Sequence, residues 1–576
     1  MPPENHRYRL LFFITVLLGF ALIVVWRLTY WQVTQAQEMS AKAVQEHALE
    51  QPIPPRRGEI MDSRGHLLAT NLPAEAVFMS PNQISKKNRA RVVEVLASTL
   101  GLPTAEVDAK IGDGRSFYVP VKRRVPLEAT LRLRETIEKE KLLGVYFEPE
   151  TIRIYPQETL AAQLIGFANY ENQGMYGVEG YHNELLRGKP GLLVAEKDTF
   201  GGELSIGYRQ LTPPEDGASV VLTIDRPVQN FVERTLKKAL EDNRAPTGTI
   251  IVLDPRTSAI IAMASWPTYD PNKFTTTKPE MMVNPAVSSQ YEPGSVFKLV
   301  TMAAGLDAGA VTPETTLNCK GYVEVNGVLI WTWNKAAHGV ENMTQVLQRS
   351  CNVGAVFVSQ ALGRERFYKY VRAFGFGDNS GVDLQGEVPG FVRPYDNDRD
   401  WRMIYMANNT FGQGIAVTPL QMLNAAAAIA NNGKLMRPHI VERVIEGDQK
   451  VYIQPTVVRQ VISPATSATM RSMMVNVVEK EAKGAQVPGY RIAGKTGTAQ
   501  IPRFGGYEPD QTITSFIGFA PADDPKFIVL VKIDRPTKSP WAQTVAVPVF
   551  NTVARWLLEY YKIPPTQPVP TPTPGG

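Results

Sequence analysis

A serine followed three residues later by a lysine opens the chemistry of this chain, in Ser295-Val296-Phe297-Lys298. Two further strings follow in order, Ser350-Cys351-Asn352 and Lys495-Thr496-Gly497-Thr498. A serine hydroxyl is a poor nucleophile at neutral pH and needs a base beside it. Residues three apart on a helix share a face, so the first string places an amine next to a hydroxyl. Glu292-Pro293-Gly294 breaks regular structure just before it and sets Ser295 at a helix N-terminus, where free backbone N–H groups stabilise developing negative charge. The chemistry these residues suit is acyl transfer through a serine ester.

Each string is common by itself, and the plain reading of a Ser-x-x-Lys is a solvated helix face. Ser295 begins the only such string in the chain, and the Lys-Thr-Gly string is also unique. Ser-x-Asn occurs at Ser80-Pro81-Asn82 as well, but that copy precedes the nucleophile and contains a proline, so it reads as a loop. It is the ordered triple that carries the catalytic reading.

The elements that must position these groups can be sketched from pattern. Thr249–Leu253 and Ala259–Ala264 form one hairpin around a 254–258 turn, and Ser515–Ala520 with Phe527–Ile533 form a second. Ile492-Ala493-Gly494 and Thr498-Ala499-Gln500 make the Lys-Thr-Gly string a strand bordering a cleft. Val220–Thr223 reads as a strand, Pro227–Leu240 as a helix begun by Asp225 or Pro227, Pro419–Ala430 as an alanine-rich helix and Val547–Tyr561 as a closing helix. Strands at both ends of a domain around helices predict an α+β fold with an antiparallel sheet. Phe411-Gly412-Gln413-Gly414 is either a tight turn or a segment lining the cleft.

The ordered triple resembles the signature of the penicillin-recognising enzymes, and further strings narrow the resemblance to class B penicillin-binding proteins. Arg57-Gly58-Glu59-Ile60-Met61-Asp62-Ser63-Arg64-Gly65, Tyr176-Gly177-Val178-Glu179-Gly180-Tyr181 and Leu185-Leu186-Arg187-Gly188 resemble the non-catalytic domain of that class. Leu253-Asp254-Pro255-Arg256, Phe411–Gly414 and Thr418-Pro419-Leu420-Gln421 resemble its transpeptidase domain. The resemblance runs from about residue 56 to about residue 561. It implies a penicillin-binding/serine β-lactamase-like transpeptidase domain behind a mixed pedestal domain. With the apolar N-terminal run, the proline-rich stretch Leu211–Gly217 and the composition of the C-terminus, the divisions expected are 1–33 for cytoplasmic tail and anchor, 34–212 for the dimerisation or pedestal domain, 213–562 for the transpeptidase domain and 563–576 for a disordered proline-threonine tail.

The same resemblance implies a peptidoglycan D,D-transpeptidase that is acylated by β-lactams. Ser295 attacks the penultimate D-alanine carbonyl of a stem peptide, Lys298 is the base, and Ser350 relays the proton to the leaving amine. Asn352 orients Lys298 and the substrate backbone, Lys495 is the nearby cation, and Thr496 and Thr498 bind the terminal carboxylate. Gly497 leaves room for substrate along the strand, and the N–H groups of Ser295 and Thr498 form the oxyanion hole. Lys-Thr-Gly-Thr, Gly518-Phe519-Ala520-Pro521 and Ala546-Val547-Pro548-Val549-Phe550 resemble the septal type. The implied partners are a polytopic glycan polymerase and division proteins; an elongation-type enzyme and a largely structural scaffold of the wall-synthesis complex are the alternatives.

Composition bounds these readings. The 576 residues, 44% of them hydrophobic, suffice for two or three domains. A net charge of +5 is small for that length, so no nucleic-acid footprint is indicated. Cys319 and Cys351 read as small buried hydrophobes rather than a disulfide framework. No cofactor and no metal is expected: His6, His66 and His338 are scattered, no Cys/His group has ligand spacing, and no glycine-rich phosphate loop follows a strand. His338 reads as a structural histidine.

Leu10–Trp26 is uncharged and almost wholly apolar, with Arg7 and Arg9 before it and Tyr30 and Trp31 after it. That pattern predicts a single-pass bacterial membrane anchor with the N-terminus cytoplasmic and the catalytic domain outside. Arg27 and bulky residues follow instead of a small-x-small site, which favours an uncleaved anchor over a cleaved signal peptide. A membrane β-lactam sensor would need a cytoplasmic domain that about nine residues cannot form, and a β-lactamase would be a smaller secreted chain. A polar helix is expected over about 35–51, ending at Pro52-Ile53-Pro54-Pro55.

Overall fold

The computed structural model describes residues 5–37, 39, 48–196, 209–396, 399 and 401–568. It begins with the helix Asn5–Thr29, and the helical segment Arg7–Thr34 is long and apolar enough to cross a bilayer. Most of the polar helix expected over 35–51 lies outside the described residues, as do residues 569–576 of the expected tail. Where the description resumes, Ala48–Ile53 is a strand paired antiparallel with Gly191–Glu196. Gln51 and Ile53 each precede a proline, which disfavours the helical region and extends the backbone there.

The chain divides into two compact units, each assembled from separated segments. The first comprises Met1–Arg56, Pro73–Thr151 and Gly188–Asp216; the second comprises Arg57–Leu72, Ile152–Arg187 and Gly217–Gly576. In the first, residues 74–79 pair antiparallel with Val119–Pro126. The helices Arg89–Leu100, Thr104–Ile111 and Leu127–Glu140 bury Val92, Leu96, Val107, Ile111 and Leu133 in one core with Val77, Met79 and Val121.

Two segments from the stretch 34–212 pack within the second unit, and buried charge holds them to each other. Glu179 is fully buried, and its carboxylate accepts from Arg57 Nε at 2.7 Å, Arg153 Nε at 2.8 Å and the Tyr155 hydroxyl at 3.0 Å. Arg57 also donates to Asn183 Oδ1 at 3.1 Å and to the Asn172 carbonyl at 3.0 Å. Burial pushes the Glu179 carboxyl up, and the charges of Arg153 and Arg57 more than offset it, leaving it below its usual range. The two non-catalytic strings around Arg57 and Glu179 thus meet in one ion cluster. Glu179→Ala strands two buried guanidiniums and is expected to destabilise the second unit by about 3–5 kcal/mol, read as a large fall in its thermal unfolding midpoint.

The second unit is built on a five-stranded antiparallel sheet. Its strands are β1 (Thr247–Leu253), β2 (Ile260–Trp266), β3 (Ala493–Arg503), β4 (Gly506–Ala520) and β5 (Phe527–Asp534), in spatial order β2-β1-β5-β4-β3. Both expected hairpins are present. Ile250 and Val252 of β1 face one core and Ile251 and Leu253 the other, so both faces are covered. Such a strand shows an unbroken apolar run instead of alternation.

Helix α1 (Arg226–Asn243) covers one face; the Asp225 side chain accepts the Val228 N–H as its cap, with Pro227 in the first turn. Helix α6 (Ala542–Tyr560) packs with it, placing Phe550 and Leu557 beside Val228, Val232 and Leu236. The other face carries α2 (Lys298–Asp307), α3 (Asn352–Leu362), α4 (Pro419–Ala430) and α5 (Pro464–Lys480). Helix α4 begins with a reciprocal cap between Thr418 and Gln421, and every residue in it is buried.

Candidate active site

Ser295 stands in a 3-10 turn, Gly294–Phe297, that runs directly into α2. The expected helix start is therefore there, tightened into its first turn. Gly294 has φ +60°, and a Cβ on it would lie 3.0 Å from Ala499 Cβ on β3, so both the backbone and the space favour glycine. Its N–H donates to the Gly412 carbonyl at 3.2 Å. Glu292 accepts the Gly414 N–H at 2.8 Å and the Tyr507 hydroxyl at 3.1 Å. Phe411–Gly414 is thus the brace behind the nucleophile turn.

Lys298 Nζ lies 3.1 Å from Ser295 Oγ. It donates to the Ser350 carbonyl and to Asn352 Oδ1, each at 2.7 Å. Those two oxygens only accept, and the Asn352 amide orientation is set by Nδ2 donating to the Trp331 carbonyl at 2.8 Å. A neutral amine has two hydrogens, both used here, so its lone pair is left for the Ser295 proton. Ser350 Oγ is 3.2 Å from Lys298 Nζ and 3.1 Å from Lys495 Nζ, a bridge between the amines. Ser350 itself has φ +56°, a left-handed conformation unfavourable for serine. Lys495 Nζ also donates to the Thr496 carbonyl at 3.1 Å.

Lys298 is 2% exposed and Lys495 fully buried, and among the described residues neither forms a salt bridge. Burial, reinforced by the neighbouring Lys495 charge, holds the Lys298 amine well below its usual range. Burial brings Lys495 down to about 7, opposed by the negative charge of Glu481. The expected division of a neutral and a charged lysine acquires a limit: Lys495 holds its proton only to about neutrality until an anion docks beside it.

Ser295, Lys298, Ser350, Asn352, Lys495 and Thr496 are brought into one hydrogen-bond network. Thr498 Oγ1 accepts the Ala542 N–H at 3.3 Å, tying β3 to the start of α6. Gly497 also meets a close approach of the chain. A Cβ there would lie 2.5 Å from Ser515 Oγ, 3.0 Å from Val296 Cγ1 and 3.2 Å from the Pro293 carbonyl, so the missing side chain lets β3 close onto the nucleophile turn. Ser80-Pro81-Asn82 belongs to the first unit, where Ser80 Oγ donates to Asn82 Oδ1 at 2.8 Å in a 3-10 turn.

Sequence reasoning missed the part of Glu292, which it used only as a helix breaker, and the Trp331 carbonyl. Neither carries a local signal, because the partners of Glu292 lie 122 and 215 residues away. Trp333 and Trp541 form an edge-to-face pair with centroids 5.6 Å apart, next to the residue whose N–H reaches Thr498. The arrangement can deprotonate a serine, stabilise an anion beside it and carry a proton between two amines through one hydroxyl.

Residues 248–555 match the family model described as the penicillin-binding protein transpeptidase domain, and residues 52–222 match that of the penicillin-binding protein dimerisation domain. Stage V sporulation protein D of Bacillus subtilis is 36% identical over 559 residues, spanning 95% of this chain and 85% of that protein. Peptidoglycan D,D-transpeptidase FtsI of Escherichia coli is 30% identical over 523 residues, spanning 89% and 85%. Among solved structures, penicillin-binding protein 3 of Mycobacterium tuberculosis complexed with aztreonam is 28% identical, with a TM-score of 0.69 over 90% of this chain and 99% of that one.

Proposed function

Because the chain belongs to the class B penicillin-binding proteins and is a serine-type peptidoglycan D,D-transpeptidase, we propose that Ser295, Lys298, Ser350, Asn352 and Lys495 carry its chemistry in septal wall synthesis. The observation that carries this assignment is the continuous contact Ser295 Oγ–Lys298 Nζ–Ser350 Oγ–Lys495 Nζ, every link 3.1–3.2 Å.

Neutral Lys298 takes the Ser295 proton as Oγ attacks the penultimate D-alanine carbonyl, and the N–H groups of Ser295 and Thr498 hold the oxyanion. The tetrahedral intermediate collapses by breaking the C–N bond to the terminal D-alanine. The proton returns through Ser350 to that amine, which leaves. An acceptor amine from a second stem peptide then attacks the ester, gives its proton back along the same path and restores Ser295. Charged Lys495, with Thr496 and Thr498, holds the donor's terminal carboxylate. A β-lactam follows the first half alone, since opening its ring leaves the leaving amine attached.

The septal reading rests on the resemblances at Lys495–Thr498, Gly518–Pro521 and Ala546–Phe550. A sporulation role is the second reading, favoured by the 36% identity to a protein named for stage V of sporulation. Depletion scored by cell shape separates them: filaments support septation, rounded cells an elongation role, and normal growth with failed spores the second reading.

The Arg7–Thr34 helix serves as the anchor, its N-terminus cytoplasmic, and as a docking surface for a polytopic glycan polymerase. Crosslinking consumes nascent glycan strands, which a partner must supply nearby. Replacing this helix with an unrelated spanning segment is expected to preserve penicillin labelling while reducing septal localisation and copurification of the polymerase. Division at wild-type level with copurification intact would make the helix a tether only.

A further inference from the structure

Cys351 lies between Ser350 and Asn352, and its Sγ caps α3 by accepting the Gly354 N–H at 3.3 Å. Cys319 Sγ is 3.5 Å away, and both thiols are free and buried. Cys319 ends the strand Thr316–Cys319, which pairs antiparallel with Gly339–Asn342 and so brings His338 and Glu341 alongside. His338 Nδ1 is 3.4 Å from Glu341 Oε2. One ligand atom from each of the four residues lies within 4.8 Å of all the others.

The polar groups in this cluster are poorly satisfied. Glu341 is fully buried, yet neither of its carboxylate oxygens nor His338 Nδ1 has a hydrogen-bond partner. The Arg349 guanidinium is 3.7 Å from Glu341 Oε2, beyond hydrogen-bond distance. With only that distant, partly exposed guanidinium against it, the buried carboxylate is poorly compensated and favours a further positive charge. Two sulfurs, an imidazole nitrogen and a carboxylate oxygen are also a complete tetrahedral ligand set. Bonds of about 2.0–2.3 Å to one ion place such ligand atoms roughly 3.3–3.8 Å apart, the spacing seen between the two thiols and between His338 and Glu341.

We propose that Cys319, His338, Glu341 and Cys351 form a binding site for a tetrahedral divalent transition-metal ion, zinc being the best match to this donor set. Two thiolates and a carboxylate against a double positive charge leave one negative charge, which Arg349 faces. All four positions are filled by protein, the pattern of a structural site. The ion ties the strand pair to Cys351, whose neighbours Ser350 and Asn352 hold Lys298. It thereby helps keep Ser350 in its left-handed conformation. The site is independent of which wall-synthesis process the enzyme serves.

The test uses the full-length chain purified in detergent under reducing conditions and without chelator. Elemental analysis is expected to find about one zinc per chain, and cobalt(II) exchanged into the site should give the intense visible bands of a tetrahedral thiolate complex. Glu341→Gln and Cys319→Ser are expected to lower zinc content at least about tenfold. Stripping the wild type with a strong chelator should lower its melting temperature and slow penicillin acylation, and zinc but not magnesium should restore both. Wild-type chain without zinc and with a six-coordinate cobalt spectrum overturns the proposal. So does zinc retained in both variants, or Cys319 and Cys351 joined as a disulfide in fully active protein.

Discussion

Ser295→Ala is expected to abolish covalent labelling by a fluorescent penicillin, lowering the acylation rate at least about 10⁴-fold while leaving the fold unchanged. The loss is large because no second hydroxyl can take over. Ser350 Oγ also contacts Lys298 Nζ, at 3.2 Å, but it is engaged by Lys495 as well and sits on a left-handed residue at the start of α3 rather than in the nucleophile turn. Removing Ser295 Oγ should also free Lys298 from its hydroxyl partner without touching its bonds to Ser350 and Asn352. Mass spectrometry of the intact chain after incubation with penicillin gives the decisive readout. An adduct of undiminished yield on folded Ser295→Ala protein would place the nucleophile elsewhere.

The second large effect separates the two lysines. Lys298→Arg is expected to reduce acylation by about 10³-fold or more, because a guanidinium cannot give up its proton at usable pH and so cannot act as the base. Lys495→Arg keeps the positive charge and should retain measurable activity. The pH profile sharpens the distinction. Acylation of the wild type by an anionic β-lactam should fall as pH rises through about 7, where free Lys495 loses its proton, and that fall should be missing in Lys495→Arg. The acid limb belongs to Lys298, whose amine burial and the Lys495 charge hold well below its usual range. Stability has a matching sign. Lys495 binds its proton less tightly in the folded chain, about 7 against 10.5, so stability should rise with pH between those values, where the unfolded chain keeps the proton and the folded chain releases it. Equal losses in both arginine variants with equal melting temperatures would contradict separate roles.

Much of this was legible in local sequence because its physical causes are local. A serine and lysine three apart on a helix must share a face, and Pro293-Gly294 must interrupt the chain before them. Asp225 with Pro227, and Thr418 with Pro419 and Gln421, marked helix starts that the structure realises as side-chain caps. Apolar runs separated by a polar turn paired as two hairpins, one at an edge of the catalytic sheet and one inside it. The helix expected to continue to residue 51 failed at its end for an equally local reason, the prolines at 52 and 54, which demand extended neighbours.

The sequence by itself determined the reaction type and singled out the groups proposed to react, since those depend on side-chain chemistry and short spacings. What only the tertiary structure decided are the relations whose partners are far apart in the chain and whose worth depends on exclusion of water. The Arg57–Glu179–Arg153 cluster joins two segments of the second unit to each other across 122 residues. Glu292 reaches Gly414, and Lys495 reaches Ser350 across 145 residues. Gly497 turned out to admit the nucleophile turn against β3, a contact that strand pattern alone does not specify. Cys319, His338, Glu341 and Cys351 lack ligand spacing in the sequence, yet one antiparallel strand pair and one helix cap bring them within 4.8 Å. Burial is the common reason. It lowers the lysine pKa values, leaves the Glu341 carboxylate without a donor, and arises only when distant segments close over one another.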